Sequence, residues 1–380
     1  MAAMYLDFCA STPVDKRVLD VMWDVYTNHI GNADSRTHIY GQSAKHIVED
    51  ARRTIAGILQ VDPTEIIFTS GATESDNTAI IGLREYGEAT GRKHIVTTAI
   101  EHKAVLESAK YMQKIGFDVD YIKPDESGRV KVADVLKKVR HDTLLVSVMH
   151  VNNETGVIQP VSEIGEALSK TDVLFHVDAA QAFGKLNRDL ATLQYDMLSI
   201  SGHKIHGPQG IGLLVLKRKN YRRPPVSALL HGGQQEYGFR PGTTPVALVA
   251  GFCEAARLMD DEYEKLLPTL QHQKENLLQQ LTKSGCQFQI NGDQKYVLPN
   301  ILNISFTGVD SESIFAALRD EYAFSNGSAC TSGSYAPSYV LKAMGFDDDR
   351  SSEALRISWW DEEIKPAALI NHVKSTAVTW

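Results

Sequence analysis

Residues 196–217 read DMLSISGHKIHGPQGIGLLVLK. Two short runs, 196–201 and 210–217, are rich in β-branched, small and apolar residues and are bounded by Gly and Pro, so each reads as a buried strand. Between them the chain sets Gly202, His203 and Lys204 at the end of the first strand, with Gly207, Pro208 and Gly210 after them. A surface lysine needs no such company. A lysine that is held dry and approached closely by a ligand needs all of it.

The same unit recurs on either side of this stretch. SAKHIVEDARRTIAGILQV has helical periodicity and TEIIFTS reads as a short strand; ATESDNTAIIGLREYG is helical again and KHIVTTAI is β-branched. TLLVSVMHV and VLFHVDAA continue the series up to DMLSIS and GIGLLVLK. Short apolar strands alternating with helices predict an α/β fold with a largely parallel central sheet and helices on both faces. After about residue 260 the pattern changes to a long polar helix, DEYEKLLPTLQHQKENLLQQLTKSG, then NILNISF, SESIFAALRDEY and EALRISW, which predict a smaller α+β domain. The expected division is a large domain over 15–260 and a small one made of 1–14 with 261–380.

Composition sets the frame. The chain has 380 residues, 43% hydrophobic and 23% charged, ordinary values for a globular protein. A formal net charge of -8 argues against nucleic acid or an anionic membrane as a direct partner. No apolar run approaches the roughly 20 residues that span a bilayer. The start, MAAMYLDFCAST, lacks the pattern of a secretory signal. Four scattered cysteines, Cys9, Cys253, Cys286 and Cys330, suit neither a disulfide framework nor a zinc site, so no metal is expected and a cytoplasmic setting is.

The chemistry lies in the polar residues at the strand ends. In open α/β sheets ligands sit at the carboxyl edge of the strands. That rule brings Thr73, His102, Asn153, Asp178, Gln181, Ser201, His203 and Lys204 toward one crevice. Gly71-Ala72-Thr73 lies between a strand and a helix, and can be a phosphate cradle or a plain helix cap. His102 can stack on a flat ring or be structural. Asp178 comes directly after an apolar strand, where ionisation needs a cationic partner. A desolvated lysine is a nucleophile toward aldehydes. Lys204 and Asp178 together read as a site for pyridoxal 5'-phosphate (PLP): the lysine takes the aldehyde, the aspartate keeps the ring nitrogen protonated, and the helix N-terminus takes the phosphate.

The ordered set YLDFCASTPVD, FTSGATESDN, EHKAVL, HVNNETGVIQP, HVDAAQAFGK, SGHKIHGPQGIG, HGGQQEYGFRPGT, PNILNISF and SNGSACTSGS covers almost the whole chain and resembles NifS/IscS-like cysteine desulfurases. The resemblance implies a fold-type I PLP-dependent transferase, a homodimer that converts L-cysteine to L-alanine and leaves the sulfur as a persulfide on an enzyme cysteine. It assigns Lys204 as the cofactor lysine and proton carrier, Asp178 to the pyridine nitrogen and Gln181 to the ring oxygen. His102 is given ring stacking and proton transfer, and Asn153 cofactor or substrate contact. Ala72, Thr73, Ser201 and His203 are assigned to the phosphate, with Thr243 reaching across from the partner subunit. Arg356 in EALRIS is assigned to the substrate carboxylate.

Cys330 lies in SNGSACTSGSYAPS, a Ser- and Gly-rich stretch poor in packing residues, whereas Cys253 sits among apolar neighbours. The resemblance makes Cys330 the sulfur-carrying nucleophile, passing sulfur to an acceptor protein for iron–sulfur assembly, tRNA thiolation or DNA phosphorothioation. Cys9 and Cys286 read as packing residues. The chain departs from the family pattern after Arg356, where SWWDEEIKP brings two tryptophans and a run of acids, and at GNADSRTH. The rival readings are a selenocysteine lyase, another PLP-dependent β-lyase that does not need Cys330, and a non-catalytic scaffold of a sulfur-using complex.

Overall fold

The computed structural model describes residues 3–327 and 337–377. Its centre is a seven-stranded sheet in the order Ile66–Thr69, Gly212–Leu216, Met197–Ser201, Leu174–Asp178, Thr143–Ser147, His94–Thr98, Asp118–Ile122. Gly212–Leu216 runs antiparallel to both of its neighbours, and the pairings from Met197–Ser201 through to Asp118–Ile122 are parallel. The largely parallel α/β expectation therefore holds, with one reversed strand. The two strands of 196–217 form an antiparallel pair, Ser201 opposite Gly212. The residues between them are folded tightly at the sheet's edge.

Five of the seven strands are buried at every residue, as continuous apolar runs covered by helices on both faces require. The other two are Leu174–Asp178, whose first residue is half-buried, and Asp118–Ile122 at the edge, with two aspartates and an exposed first residue. Nothing in DVDYI marks it as a buried run.

Helix ends obey local chemistry. Asp15 caps Lys16–Asn28 by accepting from the Arg17 amide at 2.8 Å, and Asp310 caps Ser311–Leu318 through the Glu312 amide at 2.7 Å. Gly285, at φ 79°, ends the 39-residue helix Val246–Ser284. That helix begins before the polar stretch that announced it and runs unbroken through residue 260 and through Pro268. The expected domain boundary thus falls inside one continuous element, not at a linker.

The smaller part carries an antiparallel sheet in the order Ala354–Ser358, Ile301–Phe306, Phe288–Ile290. The N-terminal stretch joins it: Met4–Tyr5 pairs in parallel with Tyr322–Ala323, and Asp7 bridges to Ser358. A single apolar cluster runs through both parts, from Val18, Ile55 and Phe183 to Ile304, Trp359 and Val373.

Candidate active site

The carboxyl ends of the parallel strands open on one cavity of about 470 Å³. Ala72, Thr73, His102, Asn153, Asp178 and Gln181 line it, as do Ser201, His203, Lys204 and Arg356. They arrive on several different elements. Ala72 and Thr73 open the helix Ala72–Ile81, His102 caps Lys103–Lys114, Asp178 ends its strand, and Arg356 comes from the small sheet. Thr243 is exposed and lies outside this cavity. Cys330 lies outside the described residues; Gly327, three positions before it, is in the cavity wall.

Lys204 Nζ donates to the carbonyls of Cys9 at 2.5 Å and Ala10 at 2.7 Å. The short helical turn Gly202–Lys204 projects it, and Gly202 is tightly packed: a Cβ there would meet Ile211 Cγ2 and Pro208 O at 3.1 Å. Asp178 is buried, and its Oδ1 accepts from the Ala180 amide at 2.9 Å. Burial raises its pKa, while the nearby His102 and Lys204 pull it back. His203, whose Nδ1 lies 3.2 Å from Ser11 Oγ, is pushed down to about 4 by burial and by the charges of Lys204 and His102. It is a neutral imidazole at neutral pH.

Three features show what the cavity can hold. The helix Ala72–Ile81 starts at Gly71, φ 150°, with no side-chain cap, so its first amides face the cavity free to take an anion. Asn153 Oδ1 is buried with no partner among the described residues. Arg356 gives Nη1 to the Asn153 carbonyl at 2.9 Å and Nη2 to Asp7 at 2.5 Å, and its buried Nε–H has no partner among the described residues. An anion at the helix end, a cation beside Asp178 and a carboxylate at Arg356 all fit within one pocket.

Other residues were not singled out from the sequence. Cys9, read as ordinary packing, lines the cavity; its carbonyl accepts from Lys204 and from Gln181 Nε2 at 2.8 Å. Glu154 is fully buried, bonds the Ser338 hydroxyl, and is raised by burial to about 6. A Cβ at Gly327 would meet the Glu154 carboxylate at 3.0 Å. Glu154 therefore touches Gly327 and Ser338, on either side of the stretch that contains Cys330. Of the departing SWWDEEIKP segment, Trp359 is buried and Trp360 packs against His206, ring centroids 4.6 Å apart. This region stands behind the lysine turn, not in the cavity.

No helix among the described residues is long and apolar enough to cross a membrane. No cluster of His, Cys, Asp and Glu able to hold a metal ion occurs among them either.

The family model for aminotransferase class-V matches residues 4–360. The mitochondrial cysteine desulfurase of Saccharomyces cerevisiae is 46% identical over 93% of this chain and 70% of that protein. DndA from Streptomyces lividans, a crystal structure, superposes with a TM-score of 0.82 at 47% identity, over 92% of this chain and 98% of that one. SspA in complex with cysteine superposes at 0.83 and 35% identity, over 95% of this chain and all (100%) of that one.

Proposed function

The chain belongs to the aminotransferase class-V family, and we propose that it is a PLP-dependent cysteine desulfurase whose sulfur carrier is Cys330. The observation that carries this reading is the meeting, in one cavity, of Lys204, the buried Asp178, the uncapped helix end at Ala72 and Thr73, and Arg356. Relatives named as cysteine desulfurases support it, as does a similar fold that holds cysteine.

PLP supplies, when bound, an aldehyde for Lys204 and an electron sink for the substrate carbons. The rest is the work of this chain. Ala72 and Thr73 amides, with Ser201 and His203, take the phosphate at the helix end. Ionised Asp178 keeps a proton on the ring nitrogen. Arg356, fixed by Asp7 and Asn153, turns its remaining donors to the substrate carboxylate. Lys204 would hold the cofactor's aldehyde and would move the proton at the substrate α-carbon, with His102 beside it. Cys330 thiolate attacks the substrate sulfur: an S–S bond forms, the Cβ–S bond breaks, and the carbon takes a proton to leave as alanine. The persulfide then passes to an acceptor protein.

A homodimer fits the surface. Leu19, Trp23, Tyr26 and Ile30 form one exposed apolar stripe along Lys16–Asn28 and just beyond it, Trp23 at 71% and Ile30 at 62% exposure. Ile39, 73% exposed, and Tyr40 extend the patch. A second copy covering this patch would account for it, and in that assembly Thr243 serves the partner's cofactor phosphate.

The test is alanine released from L-cysteine under a thiol reductant, wild type beside Cys330→Ser. Alanine from wild type alone supports the persulfide route. Equal alanine from both would make this a different PLP-dependent lyase.

A further inference from the structure

Behind the cavity wall, carboxyl groups from three elements are buried together. Asp76 lies on the helix Ala72–Ile81, Glu101 comes just after the strand His94–Thr98, and Asp178 ends the strand Leu174–Asp178; exposures are 0%, 0% and 5%. Only Asp178 of the three reaches the cavity. Their surroundings differ. Asp178 has the Ala180 amide on Oδ1 and the charges of His102 and Lys204 nearby. Glu101 Oε1 accepts from Thr98 Oγ1 at 2.6 Å and from the Met149 amide at 3.0 Å. Neither Asp76 oxygen has a well-formed hydrogen bond among the described residues; the Ser199 hydroxyl is the one donor near it, and it is shared with His176 Nε2 at 2.9 Å.

The groups facing Asp76 are Asp178, Glu101, the hydroxyl of Ser199 and the ring of His176, whose Nε2 is 3.5 Å from Oδ1. No lysine or arginine is among them. His176 does not supply the missing cation, because burial lowers its pKa to about 3 and its nitrogens are engaged by Ser147 Oγ at 2.8 Å and Ser199 Oγ at 2.9 Å. A buried anion with no cation and only one shared hydroxyl beside it is costly, and two neighbouring carboxylates do not both ionise in such a place. The charge goes to the member with an amide on it and a lysine nearby.

We propose that Asp76 is a positioning residue held as a neutral carboxylic acid, so that Asp178 alone carries the negative charge that faces the cofactor ring. This rests on the PLP reading of the cavity. An ionised Asp76 would drive a proton onto Asp178 and remove the anion from the one place where the ring nitrogen needs it. The direction of the Asp76 shift, upward through burial and the neighbouring Asp178, agrees.

The experiment uses full-length holoenzyme and infrared difference spectra, wild type minus Asp76→Asn, at neutral pH. The expected result is loss of a carboxylic-acid carbonyl band with no loss of carboxylate bands. Loss of a carboxylate band instead overturns the proposal. Because the variant could fail to fold, wild-type holoenzyme labelled with 13C at the aspartate carboxyls is titrated as well. One aspartate should stay at the shift of a protonated acid from about pH 6 to about pH 8, well above the usual aspartate range near 3.9. If every aspartate sits at the carboxylate position there, the proposal is wrong.

For PLP rebinding, Asp76→Asn should stay within about threefold of wild type while Asp178→Asn falls about tenfold or more, the loss expected for a charge-assisted bond. Equal losses in the two variants would also overturn it. None of these readouts involves cysteine turnover. An enzyme that binds PLP but makes no alanine would sink the desulfurase reading and leave this one standing.

Discussion

Arg356 Nη2 and Asp7 Oδ1 meet at 2.5 Å, the arginine side chain 3% exposed and the aspartate 16%. Asp7 begins the same short stretch whose Cys9 and Ala10 carbonyls hold Lys204 Nζ. One N-terminal segment thus fixes both the arginine that would grip substrate and the lysine that would act on it.

Arg356→Lys should raise KM for L-cysteine by about 10- to 100-fold, since a planar two-point grip worth about 1.5–3 kcal/mol is replaced by a point charge. Asp7→Asn should raise KM less, by loosening the guanidinium without removing it. Steady-state kinetics on both variants decide the matter, and an unchanged KM in Arg356→Lys would remove the arginine from substrate binding.

Arg52 and Glu236 form a buried two-point ion pair, 2.8 Å at each contact, and Glu236 Oε2 also accepts from the Phe68 amide at 2.9 Å. Removing one partner strands the other charge. Glu236→Gln should cost about 3–5 kcal/mol in a denaturant titration. A loss below about 1 kcal/mol, the worth of an exposed pair, would contradict the burial.

Glu101 is raised by burial to about 8 from its ordinary 4.5, so the fold favours its neutral form. The unfolded chain releases that proton first as pH rises. Wild type therefore loses stability between about 4.5 and about 8, by up to ~1.4 kcal/mol per pH unit from this group. Glu101→Gln, which keeps an acceptor for Thr98 and Met149, should gain on wild type steadily across that window and level off beyond it. Denaturant melts at several pH values check this; a constant difference between the two proteins would refute it.

Trp23→Glu places a charge in the centre of the exposed stripe. If a second copy covers that stripe, sedimentation should show the wild-type dimer moving toward monomer in the variant, with the helix Lys16–Asn28 still formed. A variant that sediments as wild type would place the subunit contact elsewhere.

Most of the sheet was legible from its apolar runs, and the eight polar residues placed just after strands (Thr73, His102, Asn153, Asp178, Gln181, Ser201, His203 and Lys204) do line one cavity. Ala72 and Arg356, also in its wall, came from the family resemblance and not from the strand pattern. DVDYI at the sheet's edge carries no such signal, and its strand arises only from pairing with His94–Thr98. The start of Val246–Ser284 was hidden for the opposite reason. Its first turns, VALVAGFCEAARLM, are mostly buried and show little polar alternation. Asp7, Cys9, Glu154 and Asp76 were missed as site residues because their roles lie in long-range contacts. A carbonyl that holds a lysine 195 positions away leaves no trace in composition or spacing.

The helix Val246–Ser284 has a thermodynamic consequence. At about 1.5 Å per residue it is a rod of nearly 60 Å, packed along its early turns on Lys16–Asn28 and Ile39–Leu59, while Gln273 on its later turns donates to the carbonyls of Asp361 and Glu362. With one apolar cluster threaded through both parts, neither part owns its own stability. Heating should melt them in one cooperative step. A fragment cut at residue 260 would leave Leu270, Leu277 and Leu281 without their partners, material for a cell's proteases and not a free-standing domain.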